Sequence, residues 1–70
     1  MGNELKLELG NVRNLDAVRG IGFIEPEDGP ALPFYLRELA RPAAVRPGHL
    51  VMFETSLGER GRMATRVKAL

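Results

Sequence analysis

Pro26, Pro30, Pro33, Pro42 and Pro47 punctuate the middle of this 70-residue chain and, with eight glycines, cut it into pieces too short for a stable helix. Proline removes an amide donor and clashes with the preceding helical turn, so extended segments are what this sequence can build. Leu5, Leu7 and Leu9 alternate with Lys6 and Glu8, the period of a half-buried strand, and Val12 carries it past Gly10-Asn11. Val12 is out of phase with the leucines, which predicts a bulge or bend near Gly10. A second strand is predicted at Arg19 to Glu25, with Ile21 and Phe23 on one face and Gly20, Gly22 and Ile24 on the other. Two glycines on one face allow a neighbouring strand to come close. Pro26-Glu27-Asp28-Gly29 is a turn signal, and Leu32 to Leu36 is a third strand with Leu32 and Phe34 facing one way. Pro33 puts that strand at a sheet edge or opening. Arg37 to Ala40 allows a single helical turn, Arg41 to Pro47 reads as loop, and Pro47-Gly48 turns the chain into a fourth strand, His49 to Ser56, burying Val51 and Phe53. Gly58 to Gly61 is a hairpin connection into a fifth strand, Arg62 to Leu70. Five short antiparallel strands predict an all-β domain: a Greek-key barrel of the OB type or an SH3-like barrel.

The length allows one domain, residues 1–70, with 1–9 as an N-terminal strand extension. There is no Cys, and His49 is the sole His, so disulfide frameworks, thiol nucleophiles and zinc sites are excluded. Thr55, Ser56 and Thr65 have no base near them in sequence, and Glu25, Glu27 and Asp28 crowd one turn whose expected role is solvation. The chain is therefore expected not to be an enzyme, and to use no metal, no cofactor and no small-molecule substrate. No apolar run approaches the roughly 18 residues of a membrane span, and Met1-Gly2-Asn3-Glu4 is unlike the start of a signal peptide, so a cytoplasmic protein without a membrane partner is expected. Net charge is only +1, which argues against a histone-like binder, yet Arg60, Arg62, Arg66 and Lys68 face one acid, Glu59, near the C-terminus. Eight of the ten basic residues are Arg, the side chain suited to bidentate phosphate contacts and to stacking on planar groups.

The run Arg19-Gly20-Ile21-Gly22-Phe23-Ile24-Glu25-Pro26-Glu27-Asp28-Gly29 resembles the second strand and turn of bacterial cold-shock domains, where the family has Lys-Gly-Phe-Gly-Phe-Ile, the first of its two RNP motifs. Arg46-Pro47-Gly48-His49-Leu50-Val51-Met52-Phe53-Glu54 is similar to the family's fourth strand, and Gly58-Glu59-Arg60-Gly61 through Ala64 to Val67 to its last hairpin and strand. The resemblance covers about Gly10 to Leu70, with a shortened loop around Arg41 to Val45, and implies a five-stranded OB barrel. It also implies binding of single-stranded RNA or DNA, by stacking bases on surface aromatics beside basic groups.

The sequence departs from the family at that binding face. Asn14 and Leu15 stand where the family has a Trp-Phe pair, and Ile21 replaces the first RNP aromatic, leaving Phe23. In the second motif Leu32-Pro33-Phe34-Tyr35-Leu36 matches Val-Phe-Val-His-Phe, so Tyr35 takes the His position while Pro33 and Leu36 replace aromatics. Losing even four of these five stacking platforms at ~1 kcal/mol each weakens binding on the order of a thousandfold. The basic partners are better kept: Arg13, Arg19 and Arg60 fall on basic positions of the family, with Arg37 and Arg62 as added charges. Two functional expectations follow. One is weak, salt-dependent single-strand binding, with Phe23 and Tyr35 stacking bases and Arg13, Arg19, Arg37, Arg60 and Arg62 holding phosphates. The other is a protein-interaction or homodimer face built on Asn14, Leu15, Ile21 and Leu36, an aliphatic patch of the kind soluble monomers avoid leaving bare, serving transcription or translation machinery.

Overall fold

Residues 7–39, 41, 45–59 and 61–70 are described by the structure, a computed structural model. Five strands alternate with short turns: β1 (Glu8–Asp16), β2 (Ile21–Pro26), β3 (Leu32–Tyr35), β4 (Leu50–Gly58) and β5 (Gly61–Ala69), with a 3₁₀ turn (Leu36–Glu38) after β3. The sheet order is β3-β2-β1-β4-β5 with every neighbouring pair antiparallel. The outer strands β3 and β5 pack against each other, curling the sheet into an OB-like barrel. Its centre is filled by Val12, Ile24, Phe34, Val51, Phe53 and Val67, all essentially buried. Each such side chain contributes about 1.5–3 kcal/mol of burial free energy.

The predicted strands are all present, with shifted ends. β3 stops at Tyr35, because Leu36 already belongs to the 3₁₀ turn, and β4 runs on to Gly58, paired with Gly61. Alternation places Ile24 and Gly22 inside and Phe23 outside on β2, Leu32 and Phe34 inside on β3, and Val51 and Phe53 inside on β4. The β1–β2 turn is closed by Asp16, whose Oδ1 accepts from the amides of Val18 and Arg19 at 3.1 Å each. The Gly20 amide donates to the Asp16 carbonyl at 2.8 Å, and its φ of +70° is a conformation that favours glycine. Before β4, the Gly48 amide donates to the Val12 carbonyl at 2.7 Å and the Val12 amide to the His49 carbonyl at 2.9 Å, tying the turn onto β1.

The reading of β1 needs correction on two points. No register shift occurs at Gly10, which pairs regularly with Pro26 on one side and Val51 on the other; the shift lies between Val12 and Asn14, with Arg13 as the extra residue. Leu7 and Leu9 are exposed, at 59% and 39%, while Gly10 and Val12 share the buried face. Gly10 is needed for close approach: a Cβ there would sit 2.6 Å from the Glu25 carbonyl oxygen. A second register shift lies opposite Met52–Glu54, at Arg66, which has a φ of +52°. The first six residues of the expected N-terminal extension, Ala40 at the end of the expected helical turn, and 42–44 of the expected loop lie outside the described residues. The rest of the extension does not cross the β2–β3 face, since Glu8 and Leu9 pair with Phe53 and Met52 of β4.

Candidate nucleic-acid interface

Antiparallel pairing arranges the outward side chains of β1, β2 and β3 as a grid. Phe23 stands opposite Pro33 on one side and Asn14 on the other; Ile21 stands opposite Tyr35 and Asp16. Phe23 and Tyr35 are thus diagonal neighbours on one face, at a separation of roughly 7–8 Å. Phe23 is 38% exposed and Tyr35 40%, so both rings keep one side against the barrel and present another to solvent. The Arg37 guanidinium, carried by the 3₁₀ turn, lies 4.4 Å from the Tyr35 ring centroid, a cation–π contact.

Beside Tyr35 the face deepens into a groove of about 480 Å³ between β3 and the start of β5. Ile21, Pro33 and Met63 make its apolar lining, and Glu59 and Arg62 its charged one. This brings together Ile21, Tyr35 and Arg62, with Pro33 expected on the same face as a replaced aromatic, and adds three residues that sequence reasoning did not place there: Glu59, Gly61 and Met63. The available signal was the Gly58–Gly61 hairpin, whose tightness returns the chain toward β3; which residues meet across that gap depends on barrel closure.

The remaining candidates are dispersed. Arg13 and Arg19 lie in exposed ion pairs, Arg13 with Glu25 at 3.8 Å and Arg19 with Asp16 at 3.8 Å. Arg60 lies outside the described residues. Asn14 is exposed, whereas Leu15 and Leu36 are half-buried and pack against the core. That geometry follows from the Arg13 bulge, which turns Leu15 inward opposite the buried Gly22. Chemically, the face offers two stacking surfaces, a stacked cation, and a groove whose described lining includes the Glu59 carboxylate as acceptor, the Arg62 guanidinium as donor and the Tyr35 hydroxyl as either. No described helix is long and apolar enough to cross a membrane.

No family model and no curated protein matches this sequence. Among solved structures the chain is similar to a Drosophila Unr chain comprising cold-shock domains 4–6, with a TM-score of 0.77 and 27% sequence identity. The match covers 94% of this chain and 27% of that one, so the chain spans only about a quarter of the length of its match. The likeness is that of a cold-shock-like domain, in agreement with the five-stranded antiparallel architecture.

Proposed function

We propose that this domain binds single-stranded RNA or DNA on the outward face of β2 and β3, weakly and with marked salt dependence. The observation that carries this reading is the side-by-side exposure of Phe23 and Tyr35, with Arg37 stacked on the latter. An aromatic pair spaced along the strands is a sequence-tolerant platform, because every base has a π-face. Structural likeness to a cold-shock protein supports the same conclusion. Weakness follows from number: two platforms contribute roughly 1–3 kcal/mol each, and association has its own entropic cost. Salt dependence follows from Arg side chains neutralising phosphates and releasing counterions.

Protein docking on Asn14, Leu15, Ile21 and Leu36 has less surface to use, because Leu15 and Leu36 spend part of theirs on the core. The two readings separate in an amide-shift NMR titration with a short pyrimidine oligonucleotide at low and then near-physiological salt. Nucleic-acid binding predicts salt-sensitive shifts centred on Phe23, Tyr35 and Arg62, and a loss of about 1–3 kcal/mol of binding in Phe23→Ala. Absence of shifts at high oligonucleotide concentration would overturn the reading and point to a protein partner of the Ile21 face.

A further inference from the structure

The groove beside Tyr35 contains a side chain that general single-strand binding does not explain. Glu59 is an acid lining a path meant for a polyanion. Near phosphates a carboxylate is repulsive, so its presence is productive only where it meets hydrogen-bond donors. Bound bases supply such donors on their edges. An ionised carboxylate only accepts, through two oxygens, and a guanidinium only donates.

That pairing discriminates sharply among the bases. Guanine alone carries two adjacent donors on one edge, N1–H and the N2 amino group, matching both oxygens of a carboxylate, with the acceptor O6 next to them. Uracil and thymine offer a single N–H flanked by two carbonyl oxygens, which a carboxylate repels. Cytosine and adenine each offer an amino group beside an acceptor ring nitrogen, so one carboxylate oxygen faces a lone pair. Arg62 complements the same choice, because arginine pairs well with the O6 and N7 acceptors of guanine. The rest of the groove suits a base: Tyr35 provides a ring to stack on, Ile21, Pro33 and Met63 give apolar surface, and about 480 Å³ is ample for a nucleoside.

Building on the single-strand reading above, we infer that this groove is a guanine site. The base stacks against Tyr35, Glu59 accepts from N1–H and the N2 amino group, and Arg62 donates to O6. The face as a whole tolerates any sequence, and this one position selects.

The test is fluorescence anisotropy with labelled heptathymidine, the same strand with one central guanine, and the same strand with inosine, which lacks the N2 amino group, at one fixed salt concentration. The guanine strand is expected to bind about tenfold tighter than heptathymidine, the preference expected of one bidentate contact. Inosine should lose most of that gain. Glu59→Gln, whose amide pairs one acceptor and one donor as well with the N3–H and O4 of thymine as with the N1–H and O6 of guanine, should bind guanine and thymine strands about equally. Heptathymidine should bind this variant more tightly than it binds wild type, because no carboxylate then faces the strand, and an unchanged thermal unfolding midpoint shows that the variant is folded. Equal wild-type affinity for all three strands overturns the guanine site and leaves single-strand binding standing. No binding to any strand overturns both. A guanine preference that survives in Glu59→Gln, or that inosine matches, overturns the carboxylate contact on which the inference rests.

Discussion

Gly22 shows how one missing side chain shapes the binding face. A Cβ there would lie 2.8 Å from two ring carbons of Phe34 and 2.9 Å from the Asn14 carbonyl oxygen, the latter part of the backbone. Phe34 therefore fills the barrel beneath β2 only because Gly22 leaves space, and the same register leaves Ile21 and Phe23 facing outward. Gly22→Ala is expected to lose about 1–3 kcal/mol by overpacking. Urea unfolding measures this, and a variant as stable as wild type would mean that Phe34 moves aside without strain. Close approach at Gly22 was readable from the glycine-rich face of β2. At Gly10 the same residue type misled, since a glycine in a strand signals either unusual backbone angles or a lack of room, and here it is lack of room.

At the level of elements, two strands use one device. Val12 and Leu15 of β1, and Ala64 and Val67 of β5, stand three apart yet turn toward the core, because an extra residue between each pair resets the two-residue alternation. In β5 the extra residue is Arg66, and its amide donates to Glu38 Oε1 at 2.8 Å, linking the 3₁₀ turn to the strand that closes the barrel. Its guanidinium makes only a 3.9 Å pair with Glu54. Glu38→Ala should cost about 1 kcal/mol. Because the bond is to the main chain, the loss should be the same in the wild-type and Arg66→Gly backgrounds. Arg66→Gly alone should stay within about 1 kcal/mol of wild type, relief of the left-handed backbone offsetting a looser unfolded chain. A loss in Glu38→Ala that disappears in the Arg66→Gly background, read from a thermal-denaturation cycle, would transfer the interaction to the guanidinium.

Over the whole molecule, ten basic and nine acidic residues nearly cancel, so affinity for a polyanion depends on local arrangement and not on net charge. Arg13 and Arg19 are already paired with Glu25 and Asp16, but such exposed pairs hold only about 0–1 kcal/mol and a phosphate can displace them. Removing the competitor should thus reveal the cation. Glu25→Gln is expected to tighten oligonucleotide binding at low salt and to steepen the slope of log K against log salt by about 0.7, one extra phosphate contact on a single strand. An unchanged slope would place Arg13 away from the strand's path. Asp16 is a poorer target, since its carboxylate also closes the β1–β2 turn.

Strand number, their approximate extents and the inward side chains Ile24, Leu32, Phe34, Val51 and Phe53 were determined by the sequence alone, because proline placement, turn residues and two-residue alternation act over a few neighbouring positions. The same alternation groups Phe23 with Ile21 and Tyr35 with Pro33, and the resemblance to cold-shock domains is what pointed those faces outward. Tertiary structure decided which face of β1 is buried: Gly10 and Val12 are drawn inward between Pro26, Ile24 and Val51, and that choice leaves Leu7 and Leu9 outside. It also decided that Arg37 lies on Tyr35, that Leu15 and Leu36 lean on the core, and that Glu59, Arg62 and Met63 meet Tyr35 across a groove. The groove joins residues distant in the chain and exists only once β5 curls round to pack against β3, whereas the Arg37 contact spans two residues and depends on the 3₁₀ turn that brings its guanidinium over the ring.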